Sequence, residues 1–159
     1  PQRNGENLYA RMRYFLDTNI FLRFLVPDDE NAHAACKLLF QRINEKKIRA
    51  ATSSLVYAEI VWVLQSFYKF PKQKIAEALK VFSAAGIMFH DRVELSHAID
   101  LYEAHNVKFI DALLVSHPLL QSGEAVMVSY DTDFDKLGIR RIEPHEAISQ
   151  EIKKHKKSR

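Results

Sequence analysis

"YFLDTNIFLRFL", residues 14–25, is the stretch on which the fold turns. Tyr14, Phe15 and Leu16 form an apolar run suited to a buried strand, and Ile20–Val26 reads as a short buried helix closed by Pro27. One carboxylate, Asp17, stands where the strand gives way to Thr18 and Asn19. A lone aspartate there has an ordinary explanation, as a cap for the helix that begins at Thr18. Its alternative is chemical, and the choice depends on what the rest of the chain brings to the same place.

Downstream, strand and helix signals alternate. Residues 28–47 carry acids in the first turn, lysines in the last, and an apolar stripe of Ala32, Ala35, Cys36, Leu39, Phe40 and Ile43, which is an amphipathic helix. "IRAAT" (48–52) reads as a strand. Ser53 or Ser54 caps a long apolar helix running to about Phe70, where Pro71 stops it. Residues 72–85 form a further helix that Gly86 ends, and "IMFH" (87–90) is the next strand. Helices follow over about 93–105 and 109–121, the second kinked or shortened by Pro118. "AVMVSY" (125–130) is a buried strand, "DTDFDKLG" a turn, "RRIE" (140–143) a last strand, and Pro144 starts a terminal helix. Parallel neighbours need helical crossovers, so this alternation predicts an α/β layer fold with a mostly parallel central sheet.

Composition sets outer limits. The 159 residues, 47% hydrophobic and 11% aromatic, suffice for one domain with a substantial core. No apolar run approaches the roughly 18 residues of a membrane span, and no signal-peptide pattern opens the chain, so the expectation is a soluble, cytoplasmic protein. The net charge of +3 hints at an anionic partner, yet residues 151–159 hold five Lys/Arg against one Glu and the remainder carries −1. The organisation expected is therefore a polar upstream segment over 1–11, a domain over 12–150 and a basic tail over 151–159. The single cysteine, Cys36, reads as a core filler.

Ligands of open α/β sheets bind beyond the carboxyl ends of the strands. Asp17 lies at one such end and Asp131 at another, followed by Asp133 and Asp135. Two further acids interrupt apolar helices: Glu59 in "SSLVYAEIVWVLQSF" and Asp111 in "VKFIDALLVS". Each has a plain reading, Glu59 and Asp111 as solvent-facing helix residues, Asp131 and Asp133 as turn residues. Together they are harder to dismiss, because buried acids need partners and few cations stand near them in the chain. Carboxylates gathered within a few ångströms repel one another unless concentrated positive charge lies between them. Hard oxygen donors without clustered His or Cys favour Mg²⁺ or Mn²⁺ over zinc. Such a site suits phosphodiester hydrolysis, in which metal ions screen the phosphate and activate water. The histidines, His90, His97, His105 and His117 among them, lack metal-ligand spacing, and neither a Gly-x-Ser-x-Gly elbow nor a Gly-rich phosphate loop is present.

At these residues the chain resembles a known family. "YFLDTNIFLRFL" is similar to the opening of a PIN domain, "SSLVYAEIVWVL" to its second motif, "KFIDALLVSH" to its third and "VMVSYDTDFDKL" to its fourth. All four stand in family order over roughly Arg13 to Ile142. In length and opening motif the chain looks like the VapC-type toxins of toxin–antitoxin pairs.

The resemblance implies a PIN-like three-layer α/β/α fold with about five short strands, and a Mg²⁺- or Mn²⁺-dependent endoribonuclease. Its catalytic and metal-binding acids would be Asp17, Glu59, Asp111 and Asp131, with Asp133 auxiliary and Thr18, Asn19 and Ser129 orienting them. It implies RNA as substrate, a homodimer and a cognate antitoxin protein. Arg23, Lys108, Arg140 and Arg141 are candidates to guide phosphates. Trp62, Phe67, Tyr68 and Phe70 read as core, with an interface stripe as the other reading. The competing functions are a non-catalytic PIN-like module that binds RNA or protein, and a PIN nuclease of RNA processing. A phosphotransfer or receiver domain also uses strand-end aspartates and Mg²⁺, but would leave Glu59 and Asp111 without a role.

Overall fold

The computed structural model describes residues 13–157, so the segment 1–11 lies outside the described residues, as do Ser158 and Arg159. In chain order the elements are β1 (Arg13–Leu16), α1 (Thr18–Leu25), α2 (Glu30–Asn44), β2 (Ala50–Thr52), α3 (Ser54–Ser66) and α4 (Lys72–Ala84). There follow β3 (Met88–Phe89), α5 (Leu95–Ala104), α6 (Phe109–Val115), α7 (Pro118–Gln121) and β4 (Ala125–Val128). A 3₁₀ turn (Thr132–Leu137), β5 (Arg141–Ile142) and α8 (Pro144–Lys157) complete the chain. The five strands form one sheet in the order β3-β2-β1-β4-β5, and every pairing is parallel. The expected three-layer α/β arrangement is therefore present, with a sheet that is wholly rather than mostly parallel.

The strand order reverses between β1 and β4: successive crossovers run outward to β3 on one side and then return to β4 and β5 on the other. A crevice opens at such a reversal because the two crossovers leave in opposite directions. Register places Leu16 against Val128, and the Asp17 amide donates to the Val128 carbonyl at 3.1 Å, so Asp17 emerges beside Ser129 at this crevice.

Apart from Arg13 at its start, β1 is apolar, and β4 is apolar throughout, because both faces of the sheet are covered. Phe15 lies against the His117 ring, with centroids 5.2 Å apart, while its neighbour Tyr14 points oppositely and donates to Gln150 Oε1 of α8 at 3.0 Å. The helices obey similarly local causes. Asp29 accepts from the Ala32 amide at 3.0 Å and so caps α2, whose Ala32, Cys36, Leu39, Phe40 and Ile43 are buried at helical spacing. Cys36 is a core residue as expected. Gly86 takes a φ of 72° after α4, a left-handed turn that a side chain would strain.

Three local expectations are corrected, and the one for Pro118 is met in a stronger form. Ser53 occupies the N-cap position of α3 but makes no capping bond with its side chain. The helix ends at Ser66 rather than Phe70, because the Tyr68 and Phe70 amides fold back onto the Val63 and Leu64 carbonyls around Lys69 at φ 57°. Pro118 splits the helix expected over 109–121 in two, and His117 Nδ1 accepts from the Leu119 amide at 3.1 Å as cap of the second piece. Trp62 and Phe67 are not core: they are 66% and 74% exposed, since α3 buries Val56, Ile60 and Leu64 on another face. Tyr68 and Phe70 do pack against the core. The last helix, α8, extends from Pro144 into the basic segment as far as Lys157, with Glu151 buried.

Candidate active site

Four segments of the chain bring side chains to the crevice. Asp17 and Asn19 come from the β1–α1 junction, Glu59 from α3, Asp111 from α6, and Ser129, Asp131 and Asp133 from the turn after β4. Asp17 sits at the N-cap position of α1 without a capping hydrogen bond, so the cap reading fails. Its Oδ2 instead accepts from Asn19 Nδ2 and from Ser129 Oγ, both at 2.7 Å.

Those two partners are themselves saturated. Asn19 Nδ2 also donates to Ser129 Oγ at 2.8 Å, and Asn19 Oδ1 accepts from the Tyr130 amide at 3.2 Å. Ser129 Oγ accepts from the Asp131 amide at 2.9 Å. Both amide hydrogens of Asn19 and the Ser129 hydroxyl are used in this net, which sews the carboxyl end of β1 to that of β4. Thr18 Oγ1 donates to Glu59 Oε2 and so ties α3 to the same point. Thr18, Asn19 and Ser129 thus each hydrogen-bond directly to a carboxylate of the crevice.

Two acids are buried at real cost. Asp17 and Asp111 are each 5% exposed, and Asp111 Oδ2 has no hydrogen-bond partner among the described residues. Burial is the main force raising the Asp17 carboxyl to about 7; the Ser129 hydrogen bond and the Thr18 amide oppose it, and the charges of Glu59 and Asp111 add to it. Burial likewise raises Asp111 to about 6, opposed by Lys108 and reinforced by Asp131, Glu59 and Asp133. The acids of four separated sequence segments thus feel one another across one small volume. Asp131 and Asp133 retain the turn role as well: Asp131 Oδ1 accepts from the Asp133 amide at 2.9 Å, and Asp133 pairs with Lys136.

The donor set fits a hard divalent cation in an open site. It offers carboxylate oxygens, one of them buried and orphaned, with no sulfur and no imidazole. Among the described residues no three of His, Cys, Asp and Glu close into a compact cage. An ion such as Mg²⁺, which keeps several waters and binds through one or two carboxylates plus substrate phosphate, suits that arrangement.

The proposed phosphate guides separate. Lys108, at the start of α6, is the cation that acts on Asp111, whereas the charge of Arg23 acts on Cys36 and Tyr68. Arg140 stands before β5, at its amino end, with its charge on Tyr14. Arg141 turns inward and holds Asp135 and the Ser129 carbonyl, a role that its place in "RRIE" does not reveal. His117 is buried, with its ring packed against Phe15.

A pH dependence follows from the raised acids. Between the ordinary Asp value of 3.8 and about 7, folded Asp17 keeps a proton that the unfolded chain has lost. Stability of the metal-free protein therefore falls as pH rises through that window, by about 2–4 kcal/mol from this residue, and levels off above it. Asp111 adds a smaller fall ending near pH 6. Urea midpoints from pH 4 to 8, wild type against Asp17→Asn, read this difference; parallel pH curves would refute it.

No curated protein sequence matches the chain. Among solved structures it is similar to VapBC2 of Rickettsia felis, determined bound to a DNA fragment from its promoter. The two share 19% identity over 83% of this chain and 98% of that one, with a TM-score of 0.60. It is also similar to VapC20 of Mycobacterium tuberculosis, a toxin that cleaves the sarcin–ricin loop, at 18% identity over 82% and 99% of the two chains, with a TM-score of 0.61. The family model of the PIN domain matches residues 14–140, a span that includes every acid of the crevice. With strand order, crevice and family model in agreement, the chain belongs to the PIN domain family.

Proposed function

We propose that the chain is a Mg²⁺- or Mn²⁺-dependent endoribonuclease and the toxin of a VapC-type toxin–antitoxin pair, acting in the cytoplasm. The observation that carries the reading is the pair Asp17 and Asp111: two buried carboxylates, one with an orphaned oxygen, held at the topological switch point of a PIN fold. Among the described residues neither carboxylate has an ion pair, and a divalent cation arriving from outside would offset the cost of burying both.

Asp17, Asp111 and Asp131 would hold the metal directly, with Glu59 at a second position or through water, and Asp133 beside them. When bound, the ion supplies charge to the scissile phosphate and lowers the pKa of an attacking water. The chain's part is orientation. Asn19 and Ser129 aim Asp17, Thr18 restrains Glu59, and the Ser129–Asp131 bond places the last acid. Lys108 supplies positive charge on the approach to Asp111.

The exposed Trp62 and Phe67, three and eight residues beyond Glu59 in sequence, support an antitoxin or second-copy contact beside the groove. Among the described residues no helix is long and apolar enough to cross a membrane.

Cleavage of structured RNA by the wild-type chain should appear with Mg²⁺ or Mn²⁺, vanish with chelator, and return when the ion is restored. Calorimetry should show Mn²⁺ uptake, lost in Asp111→Asn. RNA binding with neither cleavage nor Mn²⁺ uptake would favour the non-catalytic module instead.

A further inference from the structure

Arg141, the first residue of β5, has a side chain only 13% exposed. Its guanidinium reaches back across the turn that follows β4. Nε donates to Asp135 Oδ1 at 2.9 Å and Nη2 to Asp135 Oδ2 at 3.1 Å, while Nη1 donates to the Ser129 carbonyl at 2.8 Å. Glu143 Oε1 lies 3.9 Å from Nη1. One rigid fork, mounted on a neighbouring strand, thus grips both ends of the segment Ser129–Asp135. That segment carries Asp131 and Asp133, and its first residue hydrogen-bonds Asp17.

Phosphate guidance is a poor use of this group. Its charge is already matched by Asp135 and Glu143, and its planar donors are committed in a bidentate pair and a backbone bond. Lysine could not replace it, because an ammonium offers a point charge instead of a fork.

We propose that Arg141, together with Asp135, is a positioning residue of the acidic site: its fork immobilises the Ser129–Asp135 turn and thereby holds Asp131, and through Ser129 Asp17, in place. The inference rests on the nuclease reading for the purpose of the site, though the grip itself does not depend on it. Residues that orient metal ligands typically affect metal affinity or activity by roughly 10–100-fold, and Arg141 belongs to that range.

The test uses the full chain with Arg141→Gln, Arg141→Lys and Asp135→Asn, the last at an exposed side chain that safeguards the experiment if the arginine variants fail to fold. In metal-free protein, hydrogen exchange of the amides from Ser129 to Asp135 should quicken about tenfold in all three, with amides of β1 and α2 unchanged. Calorimetric Mn²⁺ affinity should fall about 10–100-fold in Arg141→Gln, with lysine closer to glutamine than to wild type. For RNA, kcat should fall while KM stays within about twofold. Asp135→Asn should add little to Arg141→Gln, because both break the same contact.

A raised KM with weaker salt dependence and unchanged Mn²⁺ affinity would make Arg141 an RNA ligand and overturn the proposal. A lower melting temperature with unchanged Mn²⁺ affinity would make it merely structural and overturn it equally. If the wild type takes up no Mn²⁺, the nuclease reading falls, and unchanged amide exchange would then defeat the clamp on its own.

Discussion

Asp17→Asn should reduce metal-dependent RNA cleavage on the order of 10³-fold or more, while leaving the metal-free protein at least as stable as wild type above pH 7. Loss of a single group aimed at developing charge commonly costs 10²–10³-fold, and Asp17 would also anchor the ion itself. The stability half follows from burial. Asp17 is 5% exposed and its carboxyl is raised to about 7, so above that pH folding must place a charge in a poorly solvated crevice. Asparagine keeps an oxygen to accept from Asn19 and Ser129 yet brings no charge, so the net survives and the repulsion with Glu59 and Asp111 goes. Function held at a cost in stability is the ordinary trade at active sites. Cleavage rates at saturating Mn²⁺ beside urea midpoints at pH 8 check both halves. Retained cleavage would remove Asp17 from the mechanism, and a marked loss of metal-free stability would show that its charge is compensated after all.

Phe21→Ala should have the largest effect on stability, about 3–5 kcal/mol. Phe21 is fully buried in α1, and its ring meets Phe82, Phe40 and Tyr57 edge to face at centroid distances of 4.9, 5.5 and 5.8 Å. These rings come from α1, α2, α3 and α4, so the cluster anchors α1 and α3, which carry Asn19 and Glu59 to the crevice, against α2 and α4. Truncation removes the buried ring surface, leaves a void, and forfeits edge-to-face contacts worth about 0.5–1.5 kcal/mol each. At roughly 2–4 °C per kcal/mol for a chain of this size, the melting temperature should drop by about 10 °C. Trp62→Ala, on a side chain 66% exposed, is the control and should stay within about 0.5 kcal/mol. A loss below about 1 kcal/mol for Phe21→Ala would mean that the cluster does not anchor α1.

Much of the site is legible in sequence because its chemistry is carried by residue types placed against their surroundings. Asp17 after an apolar strand, and Asp111 inside an apolar helix, stand out since charge at such positions is costly unless something offsets it. Thr18, Asn19 and Ser129 are legible for a related reason, as short polar groups at strand ends. Arg141 is not legible: in "RRIE" it looks like its neighbour Arg140, yet one is turned inward onto Ser129 and Asp135 and the other faces solvent. Adjacent strand residues point to opposite sides, and which side is inward depends on pairing with a strand distant in sequence. Trp62 and Phe67 read as core for a related reason, because apolar character alone does not say which face of α3 is covered.

By itself the sequence determined the alternation of strands and helices, the cap at Gly86, and the identity of the acids, since these depend on local backbone preference and on hydrophobic period. Only the tertiary structure decided the order β3-β2-β1-β4-β5, the meeting of Asp17 with Ser129, the burial that raises Asp17 and Asp111, and the grip of Arg141. Hydrogen-bond partners and desolvation are properties of neighbours in space, and parallel pairing makes neighbours of residues more than a hundred positions apart.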